Sequence, residues 1–133
     1  MTTEIFTFCD SATDYNGQLV IVGTFNNIYA QSFPALHPTL AFVAKVAFDE
    51  NESREAHQFR FRIQKSDEEI VLMDTGVQAM NLQYENGKKA NANILLKADN
   101  IMLPKPGVYI ASLEIDNKVI KDTELSVIEL QQN

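Results

Sequence analysis

Cys9, His37 and His57 are the residues of this chain whose types suit covalent or transition-metal chemistry, and the sequence holds no other cysteine or histidine. A nucleophilic thiol needs a base within reach and a local field that lowers its pKa. Cys9 closes the run Ile5-Phe6-Thr7-Phe8-Cys9 on the face of Ile5 and Thr7, and no nucleophile turn surrounds it. His37 lies between Leu36 and Pro38, and His57 opens an alternating segment. Cys9 is expected to be a buried structural thiol. Two imidazoles alone make no transition-metal set, and no ligand spacing adds carboxylates to them.

Hard oxygen ligands are the next possibility. Asp10, Asp14 and Asn16 before Gly17 have the look of a calcium loop, but the twelve-residue pattern and its closing glutamate are missing. The stretch Asp10 to Asn16 is therefore expected to be a solvated turn, and it is the first place to look for a site. The acidic loop Asp49-Glu50-Glu52-Glu55 reads the same way. Asn51-Glu52-Ser53 has the form of a glycosylation acceptor, but no secretory signal precedes it. Arg60 and Arg62 share a face with Gln58 and Gln64 and have the chemistry to hold an anion. Pairing with carboxylates on neighbouring strands, such as Glu114 or Glu124, is the expectation. The five glycines are scattered, so no phosphate loop forms, and no G-x-S-x-G elbow occurs. No catalytic, metal or cofactor-binding residue is assigned.

The elements that carry these residues are read as strands. The organising period is two. Phe59, Phe61 and Ile63 alternate with Gln58, Arg60, Arg62 and Gln64. Leu40, Phe42, Ala44, Val46 and Phe48 share one face of a strand from Thr39 to Phe48. Leu19 to Val22 is apolar on both faces, which predicts a strand covered on both sides. Val77 to Tyr84 alternates as one strand, and so do Ala90 to Ala98 and Val108 to Asp116. Asn16-Gly17 and Asn86-Gly87 are hairpin signals, and Asp116-Asn117 is a two-residue turn. Phe33 to Pro38 is a rigid connection in which either proline can be cis. Any helix is limited to a turn or two near Asp67-Glu69 or Asp99-Ile101. Gln131 to Asn133 is expected to fray. About eight to ten short antiparallel strands with frequent turns give an all-β sandwich. Its expected core is Phe42, Phe48, Phe59, Phe61, Ile63, Leu82, Ile94, Leu96, Tyr109, Leu113 and Ile115.

The 133 residues fit one domain, 1–133, and 45% apolar content suits a globular core. A net charge of −7 argues against nucleic-acid backbones and anionic membrane surfaces as partners. One cysteine excludes an intrachain disulfide. No segment approaches the apolar length of a transmembrane helix, and cytoplasm is the expected setting.

The run Pro106-Gly107-Val108-Tyr109 through Asp116-Asn117 is similar to the last hairpin of immunoglobulin-like sandwiches, where a tyrosine hydroxyl bonds the backbone at a corner. That resemblance implies a tyrosine corner at Tyr109. The chain departs from antibody-type domains in having one Cys and no Trp. Cys9-Asp10, Ala12, Asp14, Gly17, Leu19, Ile21, Gly23, Phe25 and Ile28-Tyr29 together resemble the opening of a family of small bacterial proteins of unknown function. Members begin with a CD-x-A-x-D-x-x-G-x-L-x-I-x-G-x-F run and end in a G-x-Y-x-x-x-L-x-I-D-G hairpin, with Asn117 here in place of the last glycine. The resemblance spans nearly the whole chain. It implies an immunoglobulin-like fold and a bacterial source, and it carries no activity. A non-catalytic module that binds a protein partner or its own copies is the leading expectation. A carrier of a small molecule or ion, and an enzyme built on Cys9 or the histidines, are the alternatives.

Overall fold

Alternation settles the second half of the chain directly. Phe61, Ile63, Tyr109, Ala111, Leu113 and Ile115 are buried, while Arg60, Arg62, Ser112 and Glu114 lie on the opposite face. The computed structural model describes residues 1–131. In chain order the strands are β1 (Thr2–Tyr15), β2 (Gln18–Phe25), β3 (Asn27–Ala30), β4 (Ala35–Phe48), β5 (Gln58–Lys65), β6 (Val71–Asp74), β7 (Gln78–Ala79), β8 (Gln83–Glu85), β9 (Lys89–Leu103), β10 (Gly107–Ile115) and β11 (Lys118–Glu129). One sheet runs β2-β1-β4-β9-β8, and the other β3-β11-β10-β5-β6 with β7 also beside β5. The inner faces of the two sheets enclose the main core, in which Phe42 packs edge-on to Phe6 and Phe8 and touches Phe61 across the layer.

The all-β expectation holds, and several details differ. Eleven strands are present among the described residues, and β1 and β4 each run 14 residues. The arrangement is not wholly antiparallel, because β3 pairs parallel with β11. Asp10 to Tyr15 is strand and not turn, with only Asn16 and Gly17 turning the chain at φ 51° and 85°. Ala35 to Pro38 belongs to β4, and the Phe33–Pro34 bond is cis. Asp99 to Ile101 is part of β9, and the helical turn lies instead at Glu52–Arg54. Val77 to Tyr84 is not one strand: β7 pairs with β5 and β8 with β9, so the segment crosses between the sheets. Phe59, Leu82 and Leu96 are half-buried at the margin of the core rather than inside it. Of the expected frayed end, Gln132 and Asn133 lie outside the described residues.

The largest difference concerns β2. It is the edge of its sheet and is not covered on both sides. Leu19, Ile21 and Phe25 would share one face in an undistorted strand. Instead Phe25 packs on the inter-sheet core, while Leu19 and Ile21 pack outside the first sheet with Cys9, Ala41 and Val43. Gly23 lies between them with φ +69°. The β1–β2 hairpin therefore turns over at Gly23 and folds back as an arm across the outer face of β4. Its tip reaches β9, where Asn93 Nδ2 donates to Asp14 Oδ2 at 3.2 Å and to the Gly17 carbonyl at 3.3 Å.

Candidate functional site

His57 is the most constrained ionisable side chain. The residue is 5% exposed, and its ring stacks on Phe48 with centroids 4.7 Å apart. Nδ1 lies 2.6 Å from Asp116 Oδ2, and Nε2 lies 2.7 Å from the Glu52 carbonyl oxygen. Both partners are acceptors, so the ring satisfies both only as an imidazolium donating from each nitrogen. Burial on its own lowers the His57 pKa. The Asp116 carboxylate, then the Glu52 carbonyl, outweigh it and raise the pKa above its ordinary value. Asp116 is pushed up by burial, but the His57 bond and the Gln58 amide bring it below the usual carboxylate range. Asp116 Oδ1 accepts that amide at 3.0 Å. The acidic loop locks the same end: Glu52 N donates to Asp49 Oδ1 and Asp49 N to Glu52 Oε1, a reciprocal pair of side-chain-to-backbone bonds. Ser53 is buried, donating to the Asp49 carbonyl and accepting from Ala90 N. These groups bind one another, so the cluster is a staple between the start of β5 and the β10–β11 turn.

The basic residues are paired as their strand positions require. Arg60 forks onto Asp74 with bonds of 3.0 and 2.6 Å, and Arg62 reaches Glu114 at 3.3 Å. Glu124 takes no part in these pairs. The Arg60 bonds hold the Asp74 carboxyl far below its ordinary range. Lys65 is buried beside Gly107 and donates to Asp67 and Glu68. Tyr109 Oη donates to the Lys105 carbonyl at 2.7 Å, the corner bond expected of this residue.

Cys9 is fully buried under the arm, and burial followed by the nearby Asp10 charge raises its pKa. Its neighbours are apolar, while His57 is engaged elsewhere and His37 lies by Phe25. Asp14 is consumed by the turn, accepting from Gly17 N at 2.7 Å, and by the Asn93 clasp. Among the described residues no group of three or more His, Cys, Asp or Glu is placed to hold a metal ion, and no helix is long and apolar enough to cross a membrane.

Part of β9 is left with a strand partner on one side only. β8 pairs only with Lys89 to Asn91, so β9 from Ala92 onward has β4 as its one strand partner among the described residues. A cleft of about 370 Å³ opens beside that stretch, against Thr75 to Asn81. Phe59, Met80, Ile94 and Leu96 line it together with Gln78, Asn81 and Asn93, and no lining residue is charged. Asn93 Oδ1 is buried without a hydrogen-bond partner. At the other edge of the same sheet, β2 exposes Val20 and Val22 at 53% and 55%. A wider hollow of about 730 Å³ near Asp116 carries both signs of charge, from Glu52, Asp116, Lys118 and Lys121, and presents no convergent donor set.

The model of a family of unknown function (DUF6941) matches residues 4–128. The chain belongs to that family. No curated protein matches the sequence. In this DUF6941 chain the matched region takes in both sheets, the arm and both open edges. The residues singled out by sequence do not converge: the Cys9 side chain packs on the outer face of the first sheet, His57 lies at one end of the sandwich, and Arg60 and Arg62 lie on the outer face of the second sheet. Sequence reasoning missed the His57–Asp116 staple, because 59 residues separate its members and nothing local marks the pair. It also missed the β9 edge, because the chain leaves the second sheet only after Ala79, inside a run that alternates as if it were one strand.

Proposed function

We propose that this protein is a non-catalytic interaction module that takes an extended, uncharged polypeptide strand along the open edge of β9. The observation that carries this reading is the unpaired stretch of β9 beside an uncharged, apolar-floored cleft. Unpaired backbone N–H and C=O groups at ladder spacing are satisfied best by another strand, and flanking pockets then select its side chains. The non-catalytic part is supported by the engagement of the reactive side chains. Cys9 sits in an apolar cluster, and both His57 nitrogens are taken by acceptors. Within this reading the architecture is an immunoglobulin-like variant, supported by the Tyr109 corner bond. The setting is the bacterial cytoplasm, supported by the lone free cysteine.

The test is affinity capture from the source cells with three baits: wild type, Asn81→Lys and Lys121→Ala. Asn81 is an exposed residue of the cleft, and Lys121 lies in the other hollow. A partner held by wild type and Lys121→Ala but lost by Asn81→Lys supports the reading. Equal recovery on all three baits overturns it.

A further inference from the structure

Resting on that reading, we propose that the strand taken by the β9 edge is β2 of a second copy of this chain, so that the first sheet continues from one molecule into the next. Both open edges belong to the same sheet, one on each side. β2 reads Gln-Leu-Val-Ile-Val-Gly-Thr-Phe and carries no charge and no proline. Natural edge strands are commonly guarded by lysine or proline, and here the guard is missing along the half before Gly23. The cleft beside β9 is equally free of charge. At a net charge of −7 per copy, self-association is least opposed where both surfaces are neutral.

The exposed valines choose between two ways of joining copies. A symmetric β2–β2 ladder has its two-fold axis perpendicular to the sheet. It sets Val20 and Val22 of both copies side by side on one face, still in water. Pairing β2 with β9 instead brings Val20 and Val22 to a cleft floored by Phe59, Met80 and Leu96, which removes apolar surface from water as well as completing the ladder. Such a contact is head-to-tail, so it closes into a ring or extends as a filament.

Sedimentation over a concentration series tests this with wild type, Val22→Lys and Asn81→Lys, each shown by circular dichroism to be folded. Wild type is expected to rise above its 15.0 kDa monomer mass as concentration increases. Each variant alone is expected to stay monomeric, since each lacks one of the two surfaces. An equal mixture of the two variants is expected to give a one-to-one pair and nothing larger, because one intact β2 and one intact cleft survive between them. A wild type that stays monomeric, a variant that assembles alone, or a mixture that stays monomeric overturns the proposal. If wild type is monomeric while Asn81→Lys still loses a captured partner, the edge reading stands and only the second copy as occupant falls.

Discussion

Asp10 lies across from Gly23 so closely that a Cβ built on residue 23 would overlap the Asp10 carboxylate. This contact marks the point where the β1–β2 hairpin changes face. Gly23 has φ +69°, a conformation that L side chains rarely adopt. Strand residues on either side therefore serve two different hydrophobic clusters.

Gly23→Ala is expected to destabilise the protein by at least about 1–3 kcal/mol, from the left-handed backbone and the overlap together. The double variant Asp10→Ala/Gly23→Ala should recover part of the loss. The overlapping carboxylate atoms are then gone, and the remaining Cβ of residue 10 would stand 3.3 Å from the added methyl group. Urea unfolding of the single and double variants measures this, and equal stabilities would show that the overlap costs nothing.

Cys9 reports on the arm. The thiol is covered by residues of the folded-back hairpin, and its pKa is raised by burial. A neutral alkylating reagent should modify it slowly in the native protein. Asn93→Ala removes both bonds to the hairpin tip and should speed labelling at least several-fold, with little change in the overall fold. Labelling rates that match between wild type and variant would mean that the Asn93 clasp does not hold the arm down.

The His57–Asp116 staple gives stability a pH window. The folded pKa of His57 is raised, so its contribution is full below the ordinary 6.5 and is lost as pH rises through the raised value. The folded pKa of Asp116 is lowered, so its contribution is present above the ordinary 3.8 and is lost as pH falls through the lowered value. Melting temperature should therefore be highest between those two values and fall toward alkaline pH. His57→Gln should flatten the alkaline limb, and thermal melts across the pH range would show an unchanged limb if His57 were not its source.

Tyr109→Phe removes one buried hydrogen bond, from Oη to the Lys105 carbonyl, without changing the packed ring. The expected loss is about 1 kcal/mol, which lowers Tm by about 3–5 °C in a chain of this size. Calorimetry checks it, and an unshifted Tm would remove the corner bond from the stability of the fold.

Much of the sandwich was legible because burial imposes period two on every half-buried strand. Phe59-Phe61-Ile63 and Tyr109-Ala111-Leu113-Ile115 revealed their inward faces before any partner strand was known, and the Asn-Gly and Asp-Asn turns followed from the need for positive φ. Arg62 likewise found Glu114, since alternation along β5 and along β10 puts both side chains on the outer face of that sheet. Those are local constraints, and the sequence alone determined them, together with an all-β chain that holds one buried thiol.

The tertiary structure decided which strands are neighbours and which lie at an edge. Leu19 to Val22 looked like an interior strand because it is apolar on both faces. In the fold one face covers Cys9 and Val43 while the other is left to solvent. Asp10 to Asn16 looked like a possible ligand loop, yet the Asp10 carboxylate lies against Gly23 and the Asp14 carboxylate accepts from a distant amide. His57 looked ordinary and became the link between the start of β5 and the β10–β11 turn. In each case the deciding contact joins residues far apart in sequence, or depends on the absence of a neighbouring strand. Periodicity records the face a residue presents, and it carries no record of what stands opposite that face.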